Sequence, residues 1–144
     1  MRRLTVIAAA IVLAGSLGAC AGAAAGGAAS AGVPTVPAYT EVLGTWAGPV
    51  YAEGDDQGAD LTLVLTEVEG GLGGTMSVPD VMMDRIPIKE ARYEAGLLLF
   101  YLDFAAPDGS MLRIDWQFRR NDDVLTGTFD SDYIGGYATL RRMR

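Results

Sequence analysis

From residue 44 onward, apolar and polar positions alternate in short runs separated by turn residues. The clearest run is 111–119, where Leu112, Ile114, Trp116 and Phe118 interleave with Arg113, Asp115, Gln117 and Arg119. A period of two marks a strand with one face buried and one wet. The run 61–68 follows the same rule, with Leu61, Leu63 and Leu65 on one side and Thr62 and Thr66 on the other. Further runs at 45–51, 75–78, 86–93, 97–104, 124–129 and 137–143 bring the expected count to eight. Turn chemistry separates them: Gly70-Gly71-Leu72-Gly73-Gly74, Glu94-Ala95-Gly96, Pro107-Asp108-Gly109-Ser110 and Asn121-Asp122-Asp123. No segment has the period of an amphipathic helix, and 81–85 reads as a short helical turn or a loop. The expected fold is all-β: an antiparallel meander of about eight strands. At this size, closure into an up-and-down barrel best removes exposed edges, with a β-sandwich as the rival.

The first forty residues follow another pattern. Arg2-Arg3 precedes an uncharged, largely apolar stretch, 4–17, followed by Gly18, Ala19 and Cys20. This is the layout of a secretory signal peptide. Leu17-Gly18-Ala19-Cys20 resembles the lipobox of bacterial lipoproteins. That resemblance implies lipid transfer to the Cys20 thiol and cleavage between Ala19 and Cys20. An uncleaved membrane helix is the competing reading, since no charge occurs from residue 4 to 40. Ala21 in place of aspartate implies, in families that sort by this position, release to the outer membrane facing the periplasm. Residues 21–38 are an Ala/Gly/Pro-rich tether with a flexible-chain span of roughly 25 Å. The expected organisation is a signal peptide over 1–19, a lipidated cysteine and tether over 20–40, and a barrel domain over 41–144.

Charge narrows the partners. The chain has a formal net charge of -7, and removing the leader leaves nine basic and eighteen acidic side chains. A domain this acidic repels nucleic acid, whose phosphates need Lys and Arg. A basic protein partner is electrostatically compatible. The chain has one cysteine and no histidine. Histidine-dependent nucleophilic constellations and His/Cys zinc sets are therefore absent from the sequence. The glycine-rich segment lacks the Lys-Ser/Thr of a phosphate loop. No catalytic residue, metal or cofactor is expected, and the protein reads as a non-enzyme.

Gly44-Thr45-Trp46 matches the Gly-x-Trp signature that opens the first strand of lipocalins and their relatives, the calycins. Leu125-Thr126-Gly127-Thr128-Phe129 is similar to a strand motif of the same barrels. The resemblance covers about residues 44–143. It implies that a last-strand arginine, Arg141 or Arg142, packs over Trp46 and closes one end of the barrel. The chain is shorter than typical lipocalins and lacks their C-terminal helix.

The remaining candidates concern binding. Trp116, Tyr101 and Phe118 either line a small apolar pocket or belong to the core. Carboxylates gather at Asp55, Asp56 and Asp60, and at Asp130 and Asp132, without the spacing of a calcium loop. Tyr133, Ile134 and Tyr137 surround Gly135-Gly136, either as a recognition lip or beside a glycine bulge. The expected function is a lipid-anchored envelope module, held to the membrane through the Cys20 lipid. It would bind a small apolar ligand or an envelope protein. The alternative is an inhibitor of a basic hydrolase such as a lysozyme or protease.

Overall fold

A computed structural model describes residues 35–144. The expected signal peptide, Ala19, Cys20 and the expected tether up to residue 34 lie outside the described residues. A 3-10 turn, Ala38–Val42, leads into a single antiparallel sheet. Its strands are β1 (Gly44–Ala52), β2 (Ala59–Val68), β3 (Gly71–Val78), β4 (Met83–Pro87), β5 (Lys89–Glu94), β6 (Leu97–Ala105), β7 (Met111–Asn121), β8 (Val124–Asp130) and β9 (Gly135–Arg142). The spatial order is β4-β3-β2-β1-β9-β8-β7-β6-β5. Sequence neighbours pair throughout, except that β1 pairs with β9 and β4 does not pair with β5. The architecture is a small up-and-down, barrel-like sheet.

There are nine strands rather than eight because the expected strand 86–93 divides. The run from Met83 to Glu94 keeps one direction, but its first half pairs with β3 and its second with β6. Pro87 at the break has no N–H to donate. Arg85 and Glu90 have positive φ, and the register slips on both halves. Such irregularities bend a strand away from one partner toward another. The two edges of the sheet are thus two halves of one run. Ile88 between them donates its N–H to the Gly74 carbonyl at 3.1 Å. The sheet curls on itself without an unbroken ladder around it. The short helical turn falls at Pro79–Val81, ahead of the expected 81–85, whose last three residues are in β4.

The third strand begins at Gly71 rather than at 75. The turn is only Glu69-Gly70, both with positive φ, as a tight two-residue hairpin demands. The glycines that follow belong to the strand. A Cβ on Gly74 would lie 1.9 Å from the Val64 carbonyl oxygen. The residue is glycine because the β2 backbone comes that close.

The buried face carries one continuous apolar core drawn from every strand, and no polar or charged residue of the described chain is buried. Strand β7 follows its sequence pattern, with Trp116 and Phe118 inside and Arg113, Asp115, Gln117 and Arg119 outside. Leu61, Leu63, Leu98, Leu102, Leu125 and Leu140 are fully buried. Each stabilises the fold by about 1.5–3 kcal/mol relative to exposure.

The meander gives the domain two unlike ends. Two-residue turns at Glu69-Gly70, Ala95-Gly96 and Asp122-Asp123 gather at one end, together with the 3-10 turn Ala38–Val42. The longer connections, 53–58, 79–82, 106–110 and 131–134, gather at the other.

Candidate functional site

The short-turn end is sealed by a network around Trp46. The Arg142 guanidinium lies 4.3 Å from the centre of the Trp46 ring. It also donates from Nη1 to the Leu43 carbonyl and from Nη2 to the Glu41 carbonyl, both at 2.6 Å, and from Nε to Asp123 at 3.2 Å. Trp46 Nε1 donates to the Val42 carbonyl at 2.8 Å. Arg120 and the Tyr93 hydroxyl both donate to the Glu41 carboxylate. The strap 38–43 is thereby tied across the end of the sheet. Of the two expected arginines, Arg142 takes this place. Arg141 is on the opposite face and exposed, because the strand alternation that turns Ala138, Leu140 and Arg142 inward turns Arg141 outward.

Of the three expected pocket residues, Tyr101 and Trp116 border one hollow and Phe118 does not. Trp116 and Phe118 are stacked in the core with Phe100, and Trp116 also meets Phe129. Tyr101 projects from the other face of β6, paired opposite Asp115. The Arg113 guanidinium lies 3.8 Å over its ring. A hollow of about 310 Å³ there is lined largely by outward-facing side chains of β5 to β8. Its Arg113 and Asp115 already satisfy each other through bonds of 2.8 to 3.1 Å. The arginine holds the Asp115 carboxyl below the usual carboxylate range, and the aspartate in turn raises Arg113.

The long-loop end has a different surface. The segments 53–60, 79–85, 106–110 and 130–134 hold nine acidic side chains and one basic one, Arg85. Eight of the nine net negative charges of the described domain therefore lie at this end. Large apolar side chains are exposed in the same place: Tyr133 at 81%, Met82 at 76%, Val81 at 50% and Ile134 at 47%. Tyr51 and Tyr137 stack across β1 and β9 beside it, with ring centres 5.1 Å apart. A shallow hollow of about 390 Å³ is formed there by Glu53, Asp130, Ser131, Tyr133, Ile134 and Gly135.

Of the expected recognition lip, Tyr133 and Ile134 are at this hollow and Tyr137 flanks it. Gly135-Gly136 makes no bulge: Asp130↔Gly135 and Phe129↔Gly136 continue the β8–β9 register. Gly136 is small because a Cβ would meet the Tyr51 carbonyl oxygen at 2.1 Å. Asp130 joins Glu53 rather than a cation-binding cluster, and no group of three or more potential metal ligands occurs among the described residues. Glu53 and Tyr51 were not distinguishable in the sequence as parts of a site. They reach it only through the β1–β9 pairing, which joins strands at opposite ends of the chain.

The chain matches no protein-family model and no curated protein.

Proposed function

We propose that this protein is a non-enzymatic, lipid-anchored module of the bacterial cell envelope that binds a protein partner through its long-loop end. The observation that carries the reading is the contrast between the two ends. The chain leads into the domain at the sealed end, through the strap 38–43 held by Arg142. The opposite end bears the exposed Tyr133 and most of the net charge, while exposed aliphatic side chains occur at both ends, Val81, Met82 and Ile134 there and Val68 and Met143 at the sealed end. Exposed aromatic residues within a charged rim are typical of protein contact surfaces. Residues 35–43 enter the domain at the sealed end, and the long loops lie at the other.

The continuous core on the inner face argues against a small apolar ligand inside the barrel. The Arg142–Trp46 contact supports the resemblance to the calycins. The acidity of the loop end favours a basic partner, and an inhibitor of a basic hydrolase is one form such a module takes. The lipobox, with the only cysteine of the chain at its end, supports the anchor.

Two measurements on the full chain expressed in a bacterial host test this. Mass spectrometry of the mature N-terminus is expected to find a diacylglyceryl-modified Cys20. Cross-linking in intact cells is expected to join the protein to a discrete envelope protein. An unmodified Cys20 in an uncleaved chain would remove the anchor, and the absence of any protein adduct would remove the binding role.

A further inference from the structure

Six outward-facing side chains form one row across the sheet. Ladder register places Arg92, Leu99, Gln117, Thr128, Tyr137 and Tyr51 side by side on β5, β6, β7, β8, β9 and β1. Their strand neighbours Tyr93, Leu98, Phe118, Phe129, Ala138 and Val50 belong to the core, so alternation turns the row outward. From Leu99 to Tyr51 the row carries no charge. Neighbouring strands lie about 4.8 Å apart, which makes this uncharged part roughly 19 Å long.

Both ends of the row are ordered before anything binds. At one end is the hollow of about 310 Å³, a volume at the lower limit of small-molecule sites. Leu99, Gln117 and Thr128 line it together with the adjoining row of Tyr101, Asp115 and Asp130. Tyr101 is fixed by the Arg113 guanidinium, 3.8 Å over its ring. Arg113 in turn grips Asp115 through Nε and Nη2, which leaves Nη1 outside that fork. At the other end Tyr51 and Tyr137 are stacked. A Cβ on Gly58 would lie 2.7 Å from the Tyr51 ring, so the chain at residue 58 packs against it. Tyr137 is nevertheless 52% exposed. Side chains held in this way have little entropy left to lose on binding.

The lining decides the chemistry of the ligand. Glu90, Asp115 and Asp130 border the hollow, and so do Arg92 and Arg113. A ligand of either single charge meets like charge there. An apolar one strips water from charged groups and returns no hydrogen bonds. A hydroxyl both donates and accepts, so a polyhydroxylated neutral ligand satisfies carboxylates and guanidiniums together. Beyond the hollow the row offers an amide at Gln117, a hydroxyl at Thr128 and then tyrosine rings, each with an apolar face and a polar tip. From this geometry we propose that the outer face binds an extended neutral oligosaccharide. One sugar occupies the hollow, and the chain follows Gln117 and Thr128 to Tyr137. A compact zwitterion would use the hollow and leave the row empty. The proposal concerns a surface apart from the loop end and does not depend on the protein-binding reading above.

The test titrates the full chain by NMR with tetra-N-acetylchitotetraose and with cellotetraose, each beside its disaccharide, and with glycine betaine as a zwitterion. At least one tetrasaccharide is expected to shift the amide signals of Leu99, Gln117, Thr128 and Tyr137. Its affinity is expected to be unchanged between low and high salt, since the ligand is neutral. The disaccharide, too short to join the hollow to the tyrosine stack, is expected to bind about tenfold more weakly. Gln117→Ala and Tyr137→Ala are each expected to weaken tetrasaccharide binding about fivefold or more. An unshifted Trp46 indole resonance verifies that each variant is folded. Binding of neither tetrasaccharide, binding of glycine betaine in their place, or equal affinity for disaccharide and tetrasaccharide would overturn the proposal. So would shifts confined to another surface, or unchanged affinity in both variants.

Discussion

Arg142 performs several tasks with one planar group. It covers the Trp46 indole, satisfies two backbone carbonyls of the strap and pairs with Asp123. Replacing it by alanine leaves the Leu43 and Glu41 carbonyls without their donor. Arg142→Ala is expected to destabilise the domain by roughly 2–4 kcal/mol in urea unfolding, from charged hydrogen bonds and the cation–π contact. Arg142→Lys is expected to recover only a minor part, since an ammonium does not reproduce the planar fork. A loss within about 0.5 kcal/mol, the range of an ordinary surface change, would contradict this role. Arg113 and Asp115 make the opposite case, a well-formed pair exposed to water. Their contribution to stability is small, but it has a sign. The folded Asp115 pKa is depressed, so the pair contributes above the unfolded value of about 3.9 and is lost as pH falls through the lower folded value. The side-chain carboxyl NMR titration of Asp115 is expected to have its midpoint below that of ordinary aspartates and to return toward it in Arg113→Gln. The sequence left Arg141 and Arg142 equal because their assignment depends on strand parity. Tyr101 was obscured for the same reason: Leu97 to Leu102 is an unbroken apolar run, in which alternation has no polar partner to reveal it.

At the level of elements, most of the sheet was legible in the sequence because its strands keep a period of two and its turns carry Gly, Asp and Asn. The exceptions have physical causes. The run 83–94 reads as one strand because side-chain alternation carries no information about which neighbour a strand pairs with, and here the partner changes midway. The glycines after residue 70 read as a turn because the usual meaning of clustered glycine is a turn. In β3 they answer instead to the approach of another backbone. Two of them separate these roles. Gly74→Ala forces a Cβ onto the Val64 carbonyl, whereas a Cβ on Gly71 would meet only an ordinary contact at 3.6 Å. Gly74→Ala is expected to lower stability by about 2 kcal/mol or more, as overpacking against backbone does. Gly71→Ala is expected to leave stability within about 1 kcal/mol of the parent. Thermal unfolding of the two variants checks this, and equal effects would refute the close approach of β2 and β3.

For the whole molecule, the decisive feature is polarity between two ends, which no local pattern contains. The acidic loop surface is assembled from four segments spread from residue 53 to 134. The sequence offered Asp130, Tyr133 and Ile134 as neighbours but gave no means of adding Glu53 and Tyr51, which arrive by pairing of the first and last strands. It did foresee the bulk acidity, though not that most of the net excess lies at one end. The central claim is that this end, and not the sealed one, meets the partner. Site-specific photocross-linking in intact cells tests it most directly, with a benzophenone amino acid placed at Tyr133 in one full-length chain and at Arg141 in another. The account predicts a discrete protein adduct from position 133 and none from position 141. Adducts of equal yield from both positions, or an adduct from 141 alone, would contradict it.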